Sequence, residues 1–561
     1  MRLVLACGLC AALLVPLAAA QGPVPLTPGV TSERHVELTP HGPVAYTVIT
    51  APAPVGLTTI GPVLGGGTVT GPRQTMTQLE ESVSGNAVAA GVNGDFFSGA
   101  NAVPQGIVMA GGVVQHTPTP AHSSIGFDAA GGMHVGRISF TGTWQGTGQR
   151  RPIAGVNQQP RSGQAVLFTP AWGAATPNIA NAAEVVLEPF PAAAIDTDLS
   201  ATVASATSGA TPIPADGAVL VATGSAAAKL QAEAPQGTQV TVRLILPDAW
   251  ASVVSAIGGG PLLVKGGKAV FATGEHFDEA DLTTREARAA VGQLPDGHVI
   301  LVAVEGGRPG YSVGMTTYEL ARTMAGLGAV TAAGLQYGRF VEAAFDGQPL
   351  TRPSQGSNQV PVKEALLVQY AGVYAPAPSP AFVGKANAAA GVQLSYRLTR
   401  PSSVTATLIG PDGSSHPVDS GSRQPGTYHF AFSALDAEGT WHWNVQAVDD
   451  QNRSSTADQT FVFDETLTGL AVPRSAAVGA GIHASFTLSR PASVVLAIEA
   501  ANGTRVAALP GTQLAAGAQS LAWDGTMAGG AKAPPGSYLA VVTETSSVGT
   551  ASYTASFSLH R

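Results

Sequence analysis

The chain has 561 residues, a formal net charge of −8 at neutral pH and only 11% charged residues, whereas glycine (68) and proline (41) are abundant. The length predicts several domains, and the composition favours β-rich domains with many turns. Because the chain is acidic and has no basic run, we expect neither nucleic acid nor an anionic membrane surface as a partner.

The first residues, MRLVLACGLCAALLVPLAAAQG, have the pattern of a secretory signal peptide. Arg2 supplies the positive start, Leu3 to Leu17 the apolar core, and the alanines ending at Ala20 a small-residue cleavage site. The apolar run is short for the roughly 30 Å of a bilayer core, which favours cleavage over an uncleaved membrane anchor. We therefore expect a secreted or cell-surface protein, cleaved near Ala20, that is not an integral membrane protein.

The two cysteines of the chain, Cys7 and Cys10, both lie in this first segment. After cleavage the chain would hold no thiol, which excludes disulfides, a cysteine nucleophile and cysteine-bound zinc. We expect neither a cofactor nor a metal site. The stretch GEHFDEAD, residues 274–281, groups one histidine with four acids, but their spacing fits no familiar ligand set and a solvated loop is the favoured interpretation.

Residues 21–370 are predicted to form the main domain, of the α+β class and mostly β. RHVELTPHGPVAYTVIT predicts two strands around a turn, and many short apolar stretches that follow, such as GQAVLFTP, predict further strands. Helical spacing of apolar residues occurs in TMTQLEESVSG and again from Thr316 to Leu327. We therefore expect few helices in this domain.

The C-terminal part is predicted to contain a Pro/Ala linker, residues 371–382, and two immunoglobulin-like β-sandwiches, residues 383–465 and 466–561. Strand patterns repeat there, since YRLTRPSSVTATLIGPDG and FTLSRPASVVLAIEAANG begin about 90 residues apart. In the second copy, QSLAWDGTMAGGAKAPPGSYLAVV resembles the FlgD-type immunoglobulin-like domain. This resemblance implies a spacer or adhesion module, through which the protein could associate with the cell surface.

The stretch GVNGDFFSG, residues 91–99, is the first candidate site. An apolar strand ends on Asn93 and Asp95, which alternation would place on the same side, and Gly94 between them allows a close backbone approach. A structural turn, in which both polar side chains bond local amides, explains the same spacing, and spacing alone favours that explanation.

A second candidate site lies between Arg288 and the predicted helix. A strand ends at Glu305, and a glycine-rich loop with Arg308 leads to the helix, whose free N–H groups suit an anion such as phosphate. Arg288 or Arg308 could pair with the same anion. A capped helix beside surface arginines is an equally good explanation of these residues.

Five motifs in order give the chain a family resemblance. They are AVAAGVNGDFF, GVNQQPRSGQAVLFTPAWG, GGGPLLVKGGK, REARAAVG and PGYSVGMTTYELARTMAGLGA. Together, over about residues 30–370, they resemble the phosphodiester glycosidase family, whose domain occurs in the enzyme that removes N-acetylglucosamine from a phosphodiester. The resemblance implies hydrolysis of a sugar-1-phosphodiester, plausibly in a surface or cell-wall glycan.

The resemblance also implies roles for individual residues. Asn93 and Asp95 would belong to the catalytic site, and Arg288 matches the family arginine that we expect to bind the phosphate. Residues lining the same pocket would be Glu305, as a further catalytic group, with Ser312 and Gly314 as substrate-binding residues. Arg308 is a further candidate ligand, although it is displaced by one position from the family order.

The stretch AAGLQYGRFVEAAFDG departs from the family where the family has Leu-Asp-Gly-Gly-Gly-Ser-Ser. Gln336 replaces the aspartate and cannot act as nucleophile or base. Tyr337 and Arg339 replace glycines, which removes conformational freedom and fills space, and the family arginine near Val360 is missing. Gln336 and Arg339 would then contact substrate rather than catalyse. The sequence leaves two hypotheses, which are an altered phosphodiester glycosidase-like hydrolase and a non-catalytic glycan-binding or structural surface protein.

Overall fold

The computed structural model describes residues 22–98, 103–270, 274–384, 390–500 and 505–561. The predicted signal peptide lies outside these residues. The chain divides into two units, the first running to Tyr370 and the second beginning at Ala371. Across the described ranges, no helix combines the length and the apolar character needed to cross a membrane.

The first unit is α+β and mostly β, as predicted, with its strands in four sheets of the described residues. We call them sheets I to IV. In spatial order, sheet I contains Val24–Thr27, Val30–Thr39, Gly42–Ala51, Val299–Val304, Arg288–Gln293, Thr331–Gly334, Leu262–Lys265 and Lys268–Ala269; sheet II contains Gln348–Pro349, Ala343–Phe345, Val88–Asn93, Glu364–Tyr370 and Thr58–Leu64.

The other two sheets complete this unit. Sheet III contains Met133–Gly136, Ser124–Asp128, Val253–Gly258, Val108–Ala110 and Val113–His116; sheet IV contains Arg151–Ile153, Thr141–Gln145, Gln239–Ile245, Asp198–Thr207, Ala183–Leu187, Ala218–Ala222, Ala165–Phe168 and Gly155–Val156. A short hairpin pairs Phe97–Ser98 with Val103–Pro104.

Sheets I, II and III enclose one apolar core between them. In strand Val299–Val304 of sheet I, Leu301 and Ala303 face this core, while Ile300 and Val302 face a second core on the other side of the sheet. Because both faces are covered, the strand is a continuous apolar run and not an alternating one. The ends of sheets I and II are thereby held next to each other, and the candidate residues lie at those ends.

Helices cover the outer faces of the sheets. The helices of the described residues are α1 (Met76–Val83), α2 (Gly224–Glu233), α3 (Glu279–Thr283) and α4 (Thr317–Gly326). Helix α4 packs on sheet I and α1 on sheet II. The predicted start of α4 is confirmed, because the Thr316 side chain accepts the Glu319 N–H and the Glu319 side chain accepts the Thr316 N–H in a capping box.

Two helices contradict the sequence-based expectation. Helix α2 forms in GSAAAKLQAE, where small alanines give only a weak apolar stripe around the buried Ala227 and Leu230. Helix α3 forms in the stretch predicted as a solvated loop, and it begins with a capping box between Asp278 and Asp281. Local capping chemistry thus decides the structure of this acidic segment.

The second unit consists of two β-sandwiches, as predicted. In the first sandwich, one sheet contains, in spatial order, Phe382–Val383, Ser454–Phe463, Gly439–Asp449, Ser402–Ile409 and Ser415–Arg423, and the other pairs Val392–Leu398 with Gly426–Phe432.

In the second sandwich, one sheet contains Leu467–Ala471, Ile482–Leu488 and Gly517–Trp523. The other contains, in spatial order, Ser475–Ala477, Thr550–His560, Gly536–Thr545, Ala492–Ala500 and Arg505–Ala508, with Thr512–Leu514 also paired to Ala492–Ala500.

The segment predicted as a Pro/Ala linker belongs to the first sandwich. Val373 and Ala375 are buried in its core, and Tyr374 forms a β-bridge with Arg397. Apolar residues between the prolines therefore hold this segment on the sandwich. In the second sandwich, the turn carboxylate of Asp524 accepts the Thr526 N–H at 2.9 Å, which is the local bonding expected of a turn acid.

The junction between the two sandwiches buries a pair of carboxyl groups. Asp464 directly follows the first sandwich, and Glu544 occupies an inward position of strand Gly536–Thr545; both have 0% exposure. Burial and the hydrogen bond to Asp464 raise the pKa of Glu544 to about 8. Nearby, Arg490 pairs with Glu438. At neutral pH, the Glu544 carboxyl is therefore mostly protonated.

We predict that Glu544→Gln flattens the pH dependence of the second unit's stability. The folded-state pKa near 8 exceeds the ordinary 4.5. The neutral carboxyl therefore stabilises the fold below about pH 4.5, and this contribution is lost as the pH rises through about 8. Glutamine donates a hydrogen bond at every pH. Thermal unfolding of the full chain between about pH 5 and 9 measures the effect, with the exposed Asp436→Asn as control. An unchanged slope in Glu544→Gln would contradict this account.

Candidate functional site

Two backbone turns, one from sheet I and one from sheet II, meet at the predicted site. Strand Val88–Asn93 ends on Asn93, which is fully buried. The Asn93 amide donates to the Gln336 carbonyl at 2.7 Å, and the Gln336 N–H donates to the Gly94 carbonyl at 3.0 Å. Asn93 also accepts the Glu342 N–H at 3.3 Å. The structure thus brings Asn93 and Gln336 together, with the Asn93 side chain bonded to backbone.

Asp95 is buried under two glycines. Its side chain is only 2% exposed, and Oδ2 accepts the Gly106 N–H at 2.6 Å. A Cβ atom on Gly258 would stand 2.1 Å from Oδ2, so this close approach requires glycine. Burial raises the pKa of Asp95 to about 7, against the hydrogen bonds from Phe96 and Gly106, which favour the charged form.

A second carboxyl group lies beside Asp95. Glu364 begins the strand that pairs with Val88–Asn93, and its carbonyl accepts the Gly94 N–H at 2.9 Å. Burial and the charge of Asp95 raise the pKa of Glu364 well above its ordinary value. Two carboxylates cannot both ionise at low cost in such a place, so the pair retains a proton at neutral pH.

Arg288 is buried, its Nε and Nη2 donate to protein carbonyls, and Nη2 also lies 3.4 Å from Glu286 Oε1. Nε donates to Met315 at 2.7 Å, and Nη2 donates to Asp281 and Thr284 at 2.8 Å each. The Tyr337 ring centre lies 5.1 Å from Cζ, which is a cation–π distance. Both side chains line one small cavity. The expected role of Arg288 as a phosphate ligand stays a prediction.

Tyr337 fits its turn without backbone strain. Its φ of −114° and ψ of −176° are extended values that any residue can adopt. The left-handed conformation falls on the next residue, Gly338, with φ +73°. The turn therefore has a glycine where a positive φ needs one, and Tyr337 stands at a position that any residue can occupy.

The aromatic residues of the two turns pair with one another. Tyr337 packs edge-on against Phe96, with ring centres 5.4 Å apart, and Phe96 also contacts His122 and Phe277. We call these four half-buried residues the inner aromatic group. His122 and Phe277 stack at 4.4 Å.

A second group of rings and cations combines residues of the same two turns with Arg73, which lies in the segment before helix α1. Phe340 packs edge-on against Phe97 at 5.2 Å. Arg339 lies over Phe340 and Arg73 over Phe97, with Cζ to ring-centre distances of 4.9 and 5.6 Å. We call these four residues the outer arginine–aromatic group. Arg339, predicted to bind substrate, is exposed here.

Glu305 and Ser312, which were also predicted to line the site, make contacts at the end of strand Val299–Val304. Glu305 is buried, its Oε1 lies 3.7 Å from an Arg34 nitrogen, and burial raises its pKa. The Ser312 hydroxyl donates to the Glu305 carbonyl at 2.5 Å and accepts the Ala45 N–H at 3.0 Å. These contacts hold the loop that follows strand Val299–Val304.

Arg308 and Gly314 hold the same loop at its two sides. Arg308 Nε donates to the Pro353 carbonyl at 2.8 Å. Gly314 has a φ of +79°, and a Cβ there would lie 2.2 Å from the Glu286 carbonyl oxygen. The substrate roles proposed for Arg308, Ser312, Gly314 and Glu305 stay predictions.

Sequence reasoning missed several buried charged groups near this site. Glu342 is 1% exposed, its Oε1 accepts the Val360 N–H at 3.1 Å, and burial raises its pKa to about 7. Lys363 is fully buried, donates to Thr68 and Gly71 at 3.1 and 2.6 Å, and has its pKa lowered to about 8 by burial. In the sequence, Lys363 and Glu364 interrupt the apolar run VPVKEALLV, and an ionisable residue in such a run indicates a buried charged group.

No metal-binding arrangement of three or more His, Cys, Asp or Glu side chains occurs within the described residues. His276, Asp278, Glu279 and Asp281 lie at or within helix α3. Asp281 instead uses its backbone carbonyl to accept a hydrogen bond from Arg288.

Comparison with known families bears directly on this domain. The model of the phosphodiester glycosidase family matches residues 192–369, and that of the FlgD Ig-like domain matches residues 475–547. The family resemblance is confirmed. The phosphodiester glycosidase match contains Arg288, Glu305 and Gln336, whereas Asn93 and Asp95 precede it.

Solved structures give the fold. A hypothetical protein from Synechocystis is similar, with 24% identity, a TM-score of 0.52 and coverage of 61% of this chain; the chain spans 62% of that structure. The pro-peptide-inhibited catalytic domain of zebrafish N-acetylglucosamine-1-phosphodiester alpha-N-acetylglucosaminidase is 12% identical, with a TM-score of 0.34 and coverage of 61% of this chain and 84% of that domain. No curated protein matches the chain.

We predict that Asp95→Asn stabilises the first unit at alkaline pH. The pKa near 7 lies above the ordinary 3.8, so the neutral carboxyl stabilises the fold below about pH 4 and this contribution is lost as the pH rises through about 7. Asparagine still accepts the Gly106 N–H and offers a donor to Glu364. At about pH 8 the variant should melt above the wild type, whereas the exposed Asp198→Asn should not. A lower melting temperature for Asp95→Asn would refute this.

We predict that Arg288→Lys destabilises the first unit by about 3 kcal/mol, because one ammonium cannot replace charge-assisted hydrogen bonds to three carbonyls. Chemical denaturation of the full chain measures this loss, with the exposed Arg322→Lys as the matched control. Equal stability of Arg288→Lys and wild type would show that the guanidinium hydrogen bonds do not stabilise the first unit.

Proposed function

We propose that the first unit binds carbohydrate on a phosphodiester glycosidase-type fold, without hydrolysing a sugar-1-phosphodiester by the route that the family resemblance implies. The observation that carries the proposal is the position of Tyr337. Its ring lies over Arg288 and against Phe96, where the family turn has small residues and a carboxylate.

This arrangement offers few of the groups that hydrolysis of a sugar-1-phosphodiester requires. Cleavage at an anomeric carbon needs a base or nucleophile with access to the sugar, and donors that are free to bind the phosphodiester. Gln336 can supply neither base nor nucleophile. Asp95 is 2% exposed, and Nε and Nη2 of Arg288 donate to backbone carbonyls.

Binding is supported by the inner aromatic group. Sites for small molecules are mostly apolar and aromatic, with a few polar groups that fix orientation. The half-buried rings of Phe96, His122, Phe277 and Tyr337 offer apolar surface to the C–H faces of a sugar. Hydrogen-bonding groups lie at their edges, including the Tyr337 hydroxyl, whose pKa is raised by burial and by its hydrogen bond to Asp281.

A second candidate function is hydrolysis through Asp95 and Glu364. The favouring observation is the pKa of Asp95 near 7, raised by burial, because a carboxyl that stays protonated near neutral pH can act as a general acid. This candidate requires Tyr337 to move so that a sugar can reach the carboxyl pair.

The proposed location is the cell exterior. The signal-like first residues and the FlgD Ig-like match support a secreted or surface-attached protein. In this proposal the two sandwiches act as spacers or attachment modules for the carbohydrate-binding unit.

One experiment separates the two functions. The mature chain is incubated with an N-acetylglucosamine-1-phosphodiester and with chromogenic phosphodiesters of other sugars, while binding to a glycan array is measured in parallel. We expect glycan binding without sugar release. We also expect Tyr337→Ala to weaken binding about tenfold through loss of ring contact. Tyr318→Ala, an exposed tyrosine on α4, should have no effect.

Release of sugar that disappears in Asp95→Ala would establish the hydrolase instead. Absence of both release and glycan binding would refute the proposed function.

A further inference from the structure

The outer arginine–aromatic group places two exposed cations on the rim of the proposed carbohydrate surface. Arg73 lies over Phe97 and Arg339 over Phe340, and the two rings touch edge-on at 5.2 Å. Phe97 follows Phe96 of the inner group in the chain. Arg339 therefore lies on one of the two turns that carry Phe96 and Tyr337, whereas Arg73 reaches Phe97 from the segment before helix α1.

These two arginines differ from those that are held in ion pairs. Arg151, Arg285 and Arg423, for example, each pair with a carboxylate. Within the described ranges, neither Arg73 nor Arg339 makes a hydrogen bond or an ion pair, and each guanidinium is held only over a ring. Two cations that pair with no carboxylate of the described residues thus lie over two rings that contact each other, in a chain whose net charge is −8.

We propose that the outer arginine–aromatic group selects acidic polysaccharides, whose sugar units carry carboxylate, phosphate or sulfate groups. This inference rests on the proposed carbohydrate binding and specifies its ligand class. A guanidinium binds such oxyanions through two parallel hydrogen bonds. Stacking on a ring fixes the plane of the guanidinium and leaves its N–H edge available to the anion.

The surface fits a polysaccharide better than an anionic membrane. Membrane attachment needs exposed apolar side chains next to the cations. The exposed large aliphatic side chains of the first unit lie on other segments of the chain, at Val24, Val36, Leu38, Val55 and Val254. At this site the rings are half-buried, so they offer edges and faces to a sugar but no side chain that could insert into lipid.

The test measures binding of the full chain to matched polymers. The probes are polygalacturonate, a phosphodiester-linked glycan, dextran sulfate, neutral dextran, and vesicles of phosphatidylglycerol and phosphatidylcholine. We expect at least one acidic polymer to bind about tenfold more tightly than neutral dextran at low salt, with the advantage shrinking as salt screens the exposed charges. Comparison of the affinities for the three acidic polymers shows whether carboxylate, phosphate or sulfate is preferred.

Variants assign the effect to the two arginines. Arg73→Gln with Arg339→Gln should remove the preference for acidic polymer, so that the ratio of acidic to neutral polymer affinity falls to about one. Arg339→Lys should retain part of the preference, because it keeps the charge but loses the fork geometry. Arg150→Gln, an exposed arginine elsewhere in the first unit, is the control, and an unchanged melting temperature verifies folding of each variant.

The outcomes separate this inference from the proposed function. Equal binding of acidic and neutral glycans, or a preference that survives loss of both arginines, would overturn the inference while carbohydrate binding stands. Vesicle binding as tight as that of the acidic polymers would also overturn it. Binding to no glycan at all would instead refute the proposed function itself.

Discussion

The hydrogen bonds between the turns at Asn93 and Gln336 are the interaction on which the site depends. They run in both directions, from the Asn93 amide to the Gln336 carbonyl and from the Gln336 N–H to the Gly94 carbonyl. Sheets I and II are thereby fixed to each other at the ends where their polar residues collect. Asp95 and the aromatic residues of both turns take their positions from this junction.

The residues of this junction fit its backbone without strain. Gly338 keeps the positive φ that the turn requires, while Tyr337 has ordinary extended angles. The turn can therefore exchange a glycine for a large ring at no conformational cost. That ring covers Arg288, whose guanidinium is in turn needed to hold the carbonyls of Asp281, Thr284 and Met315. A binding surface is the function that such a covered site supports best.

Much of the fold could be predicted from the sequence, because strong local signals decide it. Alternating and continuous apolar runs predicted the strands, and the helical spacing of apolar residues from Thr316 predicted α4. Helix α2 was missed because its alanine-rich sequence has a weak apolar stripe. The linker prediction failed because Val373 and Ala375, between prolines, pack into the first sandwich. Burial of such isolated apolar residues depends on tertiary packing and leaves little local pattern.

The site was only partly predictable for a similar reason. Residue types and family motifs pointed to Asn93, Asp95, Arg288 and Gln336, and the structure places them at adjoining sheet ends. The pairing of Asp95 with Glu364 joins residues that are distant in sequence, as does the contact of Phe96 with Phe277. No spacing rule reveals such pairs. Whether a side chain is open to substrate or covered also depends on neighbours that only the fold brings together.

The most direct test of the central claim is a crystal structure of the full chain with a sugar-1-phosphodiester ligand. The account predicts a sugar ring against Tyr337 and Phe96 at the surface, with Arg288 still bonded to its backbone carbonyls and Asp95 still covered by Gly106 and Gly258. A structure in which Tyr337 has swung away, the phosphodiester contacts Arg288 and the anomeric carbon lies beside Asp95 would contradict it.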